Sequence, residues 1–119
     1  MSEESLKKLP NIAQALIPRK KIVNYLLSDT HDAGRDKATF FTHFGFTANN
    51  WEVLVHALRR HAVQHEITKI ETSPFGTRYV IHGALQTPTG RTPQIRAVWF
   101  IDTGETIPRF VTAYPLKGE

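Results

Sequence analysis

At 119 residues, with 40% hydrophobic and 22% charged side chains, the chain has room for one packed core; a disordered polypeptide and a two-domain enzyme are both excluded. Cysteine is absent, which removes disulfides, thiolate metal sites and a cysteine nucleophile. A formal net charge of +4 and a pI near 9.6, before any of the six histidines is protonated, favour an anionic partner.

Met1-Ser2-Glu3-Glu4-Ser5 lacks the basic start and apolar run of a signal peptide, and no stretch approaches the ~18–20 apolar residues of a membrane span. The expectation is a cytoplasmic protein with no membrane partner. A mobile N-terminal arm, 1–17, precedes a helical half, 18–65. Pro18 suits the first turn of a short helix whose Ile22, Val23, Leu26 and Leu27 form one apolar stripe. Residues 29–34 read as a loop. A second helix is predicted over Arg35 to Phe44, with Lys37, Phe40, Phe41 and Phe44 at helical spacing and Gly45 in the stop position. Asn49 caps a third helix, with Glu52 three residues on in the manner of a capping box, and Trp51, Leu54, Val55, Leu58 and Ala62 on its buried stripe. His56, Arg59, Arg60, His61 and His65 crowd its other faces and its end; complementing the helix dipole and keeping the surface solvated account for them better than phosphate binding does.

After residue 65 the period changes to two. Strands are predicted near Ile67 to Thr72 and Thr77 to Leu85, joined by the Ser73-Pro74-Phe75-Gly76 turn, then over Gln94 to Asp102 and Arg109 to Pro115. In the third, Ile95, Ala97, Trp99 and Ile101 alternate against Arg96, Val98 and Phe100. In the fourth, strict alternation sets Phe110, Thr112 and Tyr114 on one face and Arg109, Val111 and Ala113 on the other. Short connections imply an antiparallel meander. The predicted fold is a single α+β domain: three N-terminal helices packed on a four-stranded antiparallel sheet that spans 66–115.

Metal chemistry finds little support, because His61 and His65 are four apart but form no HExxH pattern. Neither GxxxxGK[ST] nor GxGxxG is present, so no nucleotide or other cofactor is called for. Metal-free RNA cleavage fits better. There the substrate's own 2′-hydroxyl is the nucleophile, and the protein supplies a base, an acid and positive charge for the phosphate. The candidates are His31 for proton transfer, Lys37 and Arg78 for the phosphate, and the hydroxyls of Thr112 and Tyr114 as positioners. Each has an ordinary alternative: a loop or capping histidine, a solvated helix lysine, a cross-strand arginine, a strand-forming threonine and a half-buried tyrosine. Arg96 reads as an outward-facing cross-strand charge.

Taken in order, Leu9-Pro10-Asn11, Tyr25-Leu26-Leu27-Ser28, His31 with Gly34-Arg35-Asp36-Lys37-Ala38, Phe40-Phe41, Gly45-Phe46, Trp51, Phe75-Gly76-Thr77-Arg78-Tyr79, Val98-Trp99 and Val111-Thr112-Ala113-Tyr114-Pro115 resemble an uncharacterised bacterial, toxin-like domain family of unknown function. That family in turn resembles the barnase, EndoU, colicin and RelE group of small metal-independent ribonucleases. The resemblance implies a metal-independent, RNA-cleaving toxin held by an antitoxin or immunity protein; RNA is the expected partner, with tRNA a candidate, and no cofactor is expected. Branches of that group use different catalytic residues, so His31, Lys37, Arg78, Thr112 and Tyr114 carry over as candidate site residues. The alternative is a non-catalytic module that binds a partner protein or nucleic acid within a toxin–antitoxin-like system.

Overall fold

A computed structural model describes the backbone of residues 8–27 and 32–116, and the side chains of all of these except 32–37. α1 (Arg19–Lys21) starts directly after Pro18, at φ −64°, and runs without a break into a π-helical turn, Ile22–Leu26. The wider turn is closed by Leu27 N–H donating to the Ile22 carbonyl at 2.8 Å, and it keeps both Ile22 and Leu26 fully buried. α2 (Asp32–His43) begins three residues before its expected start. It stops where the sequence placed the stop: Gly45, at φ +99°, donates to the Thr42 carbonyl and Phe46 N–H reaches back to Phe41.

α3 (Trp51–Gln64) is preceded by a 3₁₀ turn, Ala48–Asn50. The capping box is formed there by Thr47 and Asn50, not by Asn49 and Glu52 as expected. Asn50 N–H donates to Thr47 Oγ1 at 3.3 Å and Thr47 N–H to Asn50 Oδ1 at 2.8 Å. The Thr-Ala-Asn-Asn segment offers two overlapping box registers, and the reciprocal pair wins.

The strands are β1 (Lys69–Ser73), β2 (Gly76–Ala84), β3 (Gln94–Asp102) and β4 (Arg109–Pro115), an antiparallel meander in the order β1-β2-β3-β4. The α+β architecture is the expected one, and β3 and β4 fall on their expected bounds. One face of the sheet, carrying Ile81, Ile95, Ala97, Trp99, Phe110 and Ala113, packs against Ile22, Leu26, Phe41, Leu54, Leu58 and Ala62 of the helical layer. Each large apolar side chain removed from water there stabilises the fold by about 1.5–3 kcal/mol.

The arm expected to be mobile is held from Leu9 onward. Leu9 and Ala15 join the core, and Arg59 Nη1 donates to the carbonyls of Ile12 and Ala15, both at 3.0 Å. Leu16 then forms a parallel bridge to β4, with Leu16 N–H donating to Pro108 at 2.9 Å and Phe110 N–H to Leu16 at 2.8 Å. No described helix is long and apolar enough to cross a membrane.

The basic cluster on α3 also departs from its solvated reading. His61 is only 1% exposed. Its Nε2–H donates to the Gly83 carbonyl at 3.2 Å, and His65 Nε2–H donates to that of Ala84 at 3.0 Å. The two imidazoles therefore stitch α3 to β2, with their ring centroids 4.8 Å apart. Gly83 makes the close approach possible, since a Cβ there would lie 2.5 Å from the His65 ring. Gly83→Ala is expected to destabilise by about 1–3 kcal/mol through overpacking. Urea denaturation would show it as a lower midpoint with an unchanged slope.

Candidate functional site

Strand pairing sets three transverse rows on the face that points away from the helices. Arg78, Phe100 and Arg109 form the first, Val80, Val98 and Thr112 the second, and His82, Arg96 and Tyr114 the third. The rows exist because β4 carries a bulge. Val98 faces Thr112 but Trp99 faces Phe110, so Val111 is an extra residue. The expected common face of Phe110, Thr112 and Tyr114 is thereby corrected: Phe110 turns into the core at 1% exposure, while Thr112 and Tyr114 stay on the outer face. At the bulge, Lys21 Nζ donates to the Val111 carbonyl at 3.0 Å.

The third row is a connected polar chain across three strands. Arg96 Nε donates to His82 Nε2 at 2.9 Å, and Arg96 Nη1 donates to Tyr114 Oη at 3.2 Å. Its guanidinium carbon lies 5.7 Å from the Tyr114 ring centroid. Burial, and then the neighbouring Arg96 charge, push the His82 pKa below its ordinary value. His82 is therefore neutral near pH 7, with its Nε2 lone pair toward the guanidinium and the proton on Nδ1. Such a row can hold an anion and exchange a proton beside it.

The middle row is an apolar floor. Val80 and Val98 are buried at 3% and 0% exposure, although they face away from the main core. Beside them the Thr112 hydroxyl is buried and has no hydrogen-bond partner among the described residues. In the first row, Arg78 pairs with Glu71, whose carboxyl is held below the usual range by Arg78 and Lys69. Arg109 pairs with Asp102 at 2.9 Å and stacks over Phe100 at 5.1 Å. These ion pairs are well exposed and add little stability.

Of the sequence candidates, Thr112 and Tyr114 come together in adjacent rows. Arg78 shares their face but lies four residues along β2 from His82, roughly 13 Å, with its guanidinium engaged by Glu71. His31 lies outside the described residues. Lys37 belongs to α2, but its side chain also lies outside them. His82 and Arg96 join the site as additions that strand alternation alone did not single out.

A family model described as "Domain of unknown function (DUF6883)" matches residues 8–117. The chain belongs to that family. The DUF6883 match takes in all three helices, all four strands and both ends of the polar row. No curated protein matches the chain in sequence. Among solved structures, it is similar to a chain of a contact-dependent growth inhibition toxin–immunity protein complex from Klebsiella pneumoniae 342, with a TM-score of 0.67 and 18% identity, covering 85% of this chain and 99% of that one. At that identity the likeness shows a shared fold, consistent with the helices and antiparallel sheet of this DUF6883 chain.

Proposed function

We propose that this chain is a toxin-type, metal-independent endoribonuclease that cleaves RNA on the outer face of its sheet. The observation that carries the reading is the in-register row His82–Arg96–Tyr114, in which an imidazole, a guanidinium and a phenol are linked by hydrogen bonds. A scissile phosphate would draw Arg96 off His82 Nε2 and leave that nitrogen to accept the 2′-hydroxyl proton. The 2′-oxygen then bonds to phosphorus, the P–O5′ bond breaks, and the 5′-oxygen takes a proton from an acid, the role assigned to His31. Arg96 and Lys37 stabilise the extra charge on the phosphate, with Tyr114 donating to its oxygens, while Thr112, its hydroxyl buried, positions the strand beneath them. Arg78 serves a neighbouring part of the RNA, since its row is too far away to share the reacting phosphate. Similarity in fold to a chain of a toxin–immunity protein complex supports a toxin-like role and an immunity or antitoxin protein as partner.

The test is end-labelled tRNA and total RNA incubated with the protein in EDTA. The expected products carry 2′,3′-cyclic phosphate and 5′-hydroxyl ends, and a single 2′-deoxy substitution at the cleaved nucleotide blocks the reaction. Intact RNA at high protein concentration would overturn the reading.

A further inference from the structure

A groove on the flank of the molecule is lined by Pro18, Lys20, Lys21, Asn24 and Tyr25. Lys20 with Asn24, and Lys21 with Tyr25, are four residues apart and so stack on one side of α1 and its π turn. Among the described residues, the lining contains two ammonium groups, an amide and a phenol, and no carboxylate. Lys20 is exposed and makes no ion pair among the described residues. The Lys21 ammonium lies 5.3 Å from the Tyr25 ring centroid. This pairing of cation and aromatic suits both a phosphate and the flat face of a base.

One groove residue, Lys21, ties it to the strand that carries the site described above. Lys21 reaches the Val111 carbonyl at the bulge, one residue from Thr112 and three from Tyr114, or about 10 Å along the strand. That spacing exceeds one nucleotide. We infer that this groove binds the single-stranded RNA flanking the scissile bond as it passes over the outer edge of β4. The inference rests on the ribonuclease reading for its substrate, and on charge complementarity and the Lys21 contact with β4 for its place.

The probe is a fluorescent 2′-O-methyl RNA 12-mer, which cannot be cleaved through its 2′-oxygen, titrated by anisotropy at several salt concentrations. Lys20→Gln is the variant of choice, because Lys20 is exposed and its loss leaves the fold intact, whereas Lys21 also braces β4. The expected result is about a 3- to 10-fold loss of affinity and a log–log salt slope reduced by about 1, with Lys20→Arg restoring both. Unchanged affinity and slope in Lys20→Gln overturn the inference, and cleavage of natural RNA by the same preparation leaves the ribonuclease reading standing. Binding of the probe that depends on Lys20, in a protein that never cleaves RNA, removes the ribonuclease reading and keeps the groove. Oligoglutamate of equal charge bound as tightly, with the same loss in Lys20→Gln, assigns the groove to an acidic protein partner and overturns its assignment to RNA.

Discussion

Arg96→Ala is expected to lower kcat/KM for RNA cleavage by about 10²- to 10³-fold, the usual effect of removing one charge-stabilising donor from a reacting centre. The substitution removes both arms of the fork, the Nε bond to His82 and the Nη1 bond to Tyr114. It also alters the base. Burial is the larger cause of the low His82 pKa, but part of the shift comes from the Arg96 charge, so the imidazole titrates at higher pH once that charge is gone. The acid limb of the pH–rate profile should therefore move upward in Arg96→Ala. Arg96→Lys keeps the charge without the planar fork and is expected to fall between the two. His82→Ala should lose about 10²- to 10⁴-fold, with the acid limb flattened. If both alanine variants match the parent protein while urea denaturation shows them folded, the polar row has no part in the chemistry.

Acid should destabilise this protein progressively as pH falls below 6.5, through a buried histidine. His61 is buried, and desolvation, helped by His65, lowers its pKa from 6.5 to about 4. Its neutral Nε2–H holds the Gly83 carbonyl, while its Nδ1 is buried with no hydrogen-bond partner. Between these two pKa values the unfolded chain binds a proton that the folded chain refuses. Stability is therefore full above pH 6.5, declines as pH falls, and is lower by about 3 kcal/mol near pH 4. That is a large share of the roughly 5–15 kcal/mol typical of a domain. His82 shifts in the same direction and adds to the decline. Urea unfolding at pH 7 and pH 4.5 measures the difference. His61→Leu should be less stable than the parent at pH 7 through loss of the carbonyl bond, yet show a much flatter pH dependence. An unaltered pH dependence in that variant would remove His61 as the cause.

The coarse architecture was legible because its signals are local. Period-two alternation bounded by turns gave β3 and β4 to the residue, and Gly45 marked the end of α2. The face on which Thr112 and Tyr114 project was legible only relative to one another. Alternation carried Phe110 along with them, because a bulge is a property of two paired strands and leaves no mark on one. His82 and Arg96 were hidden for the same reason, although folding the β2–β3 hairpin about Thr89 would have set them opposite each other. His61 read as a solvated helix-end cation because the pattern gave its type and spacing, while its partner is a backbone carbonyl on another element. A histidine among Leu58, Ala57 and Ala62 was the available hint.

The two borders of the sheet are not equivalent. Along β4, Leu16 occupies the ladder beside Arg109, Lys21 covers the Val111 oxygen, and Pro115 brings no amide hydrogen. Along β1, the described residues place no further strand, and Ile70 is 47% exposed. Among the described residues, recruitment of a foreign strand thus has a single point of entry, and copies joining through it would use that entry up at the first encounter. Growth through that edge would end at a pair, because the Leu16 bridge already fills the ladder beside β4 and guards the fold against running on into fibres.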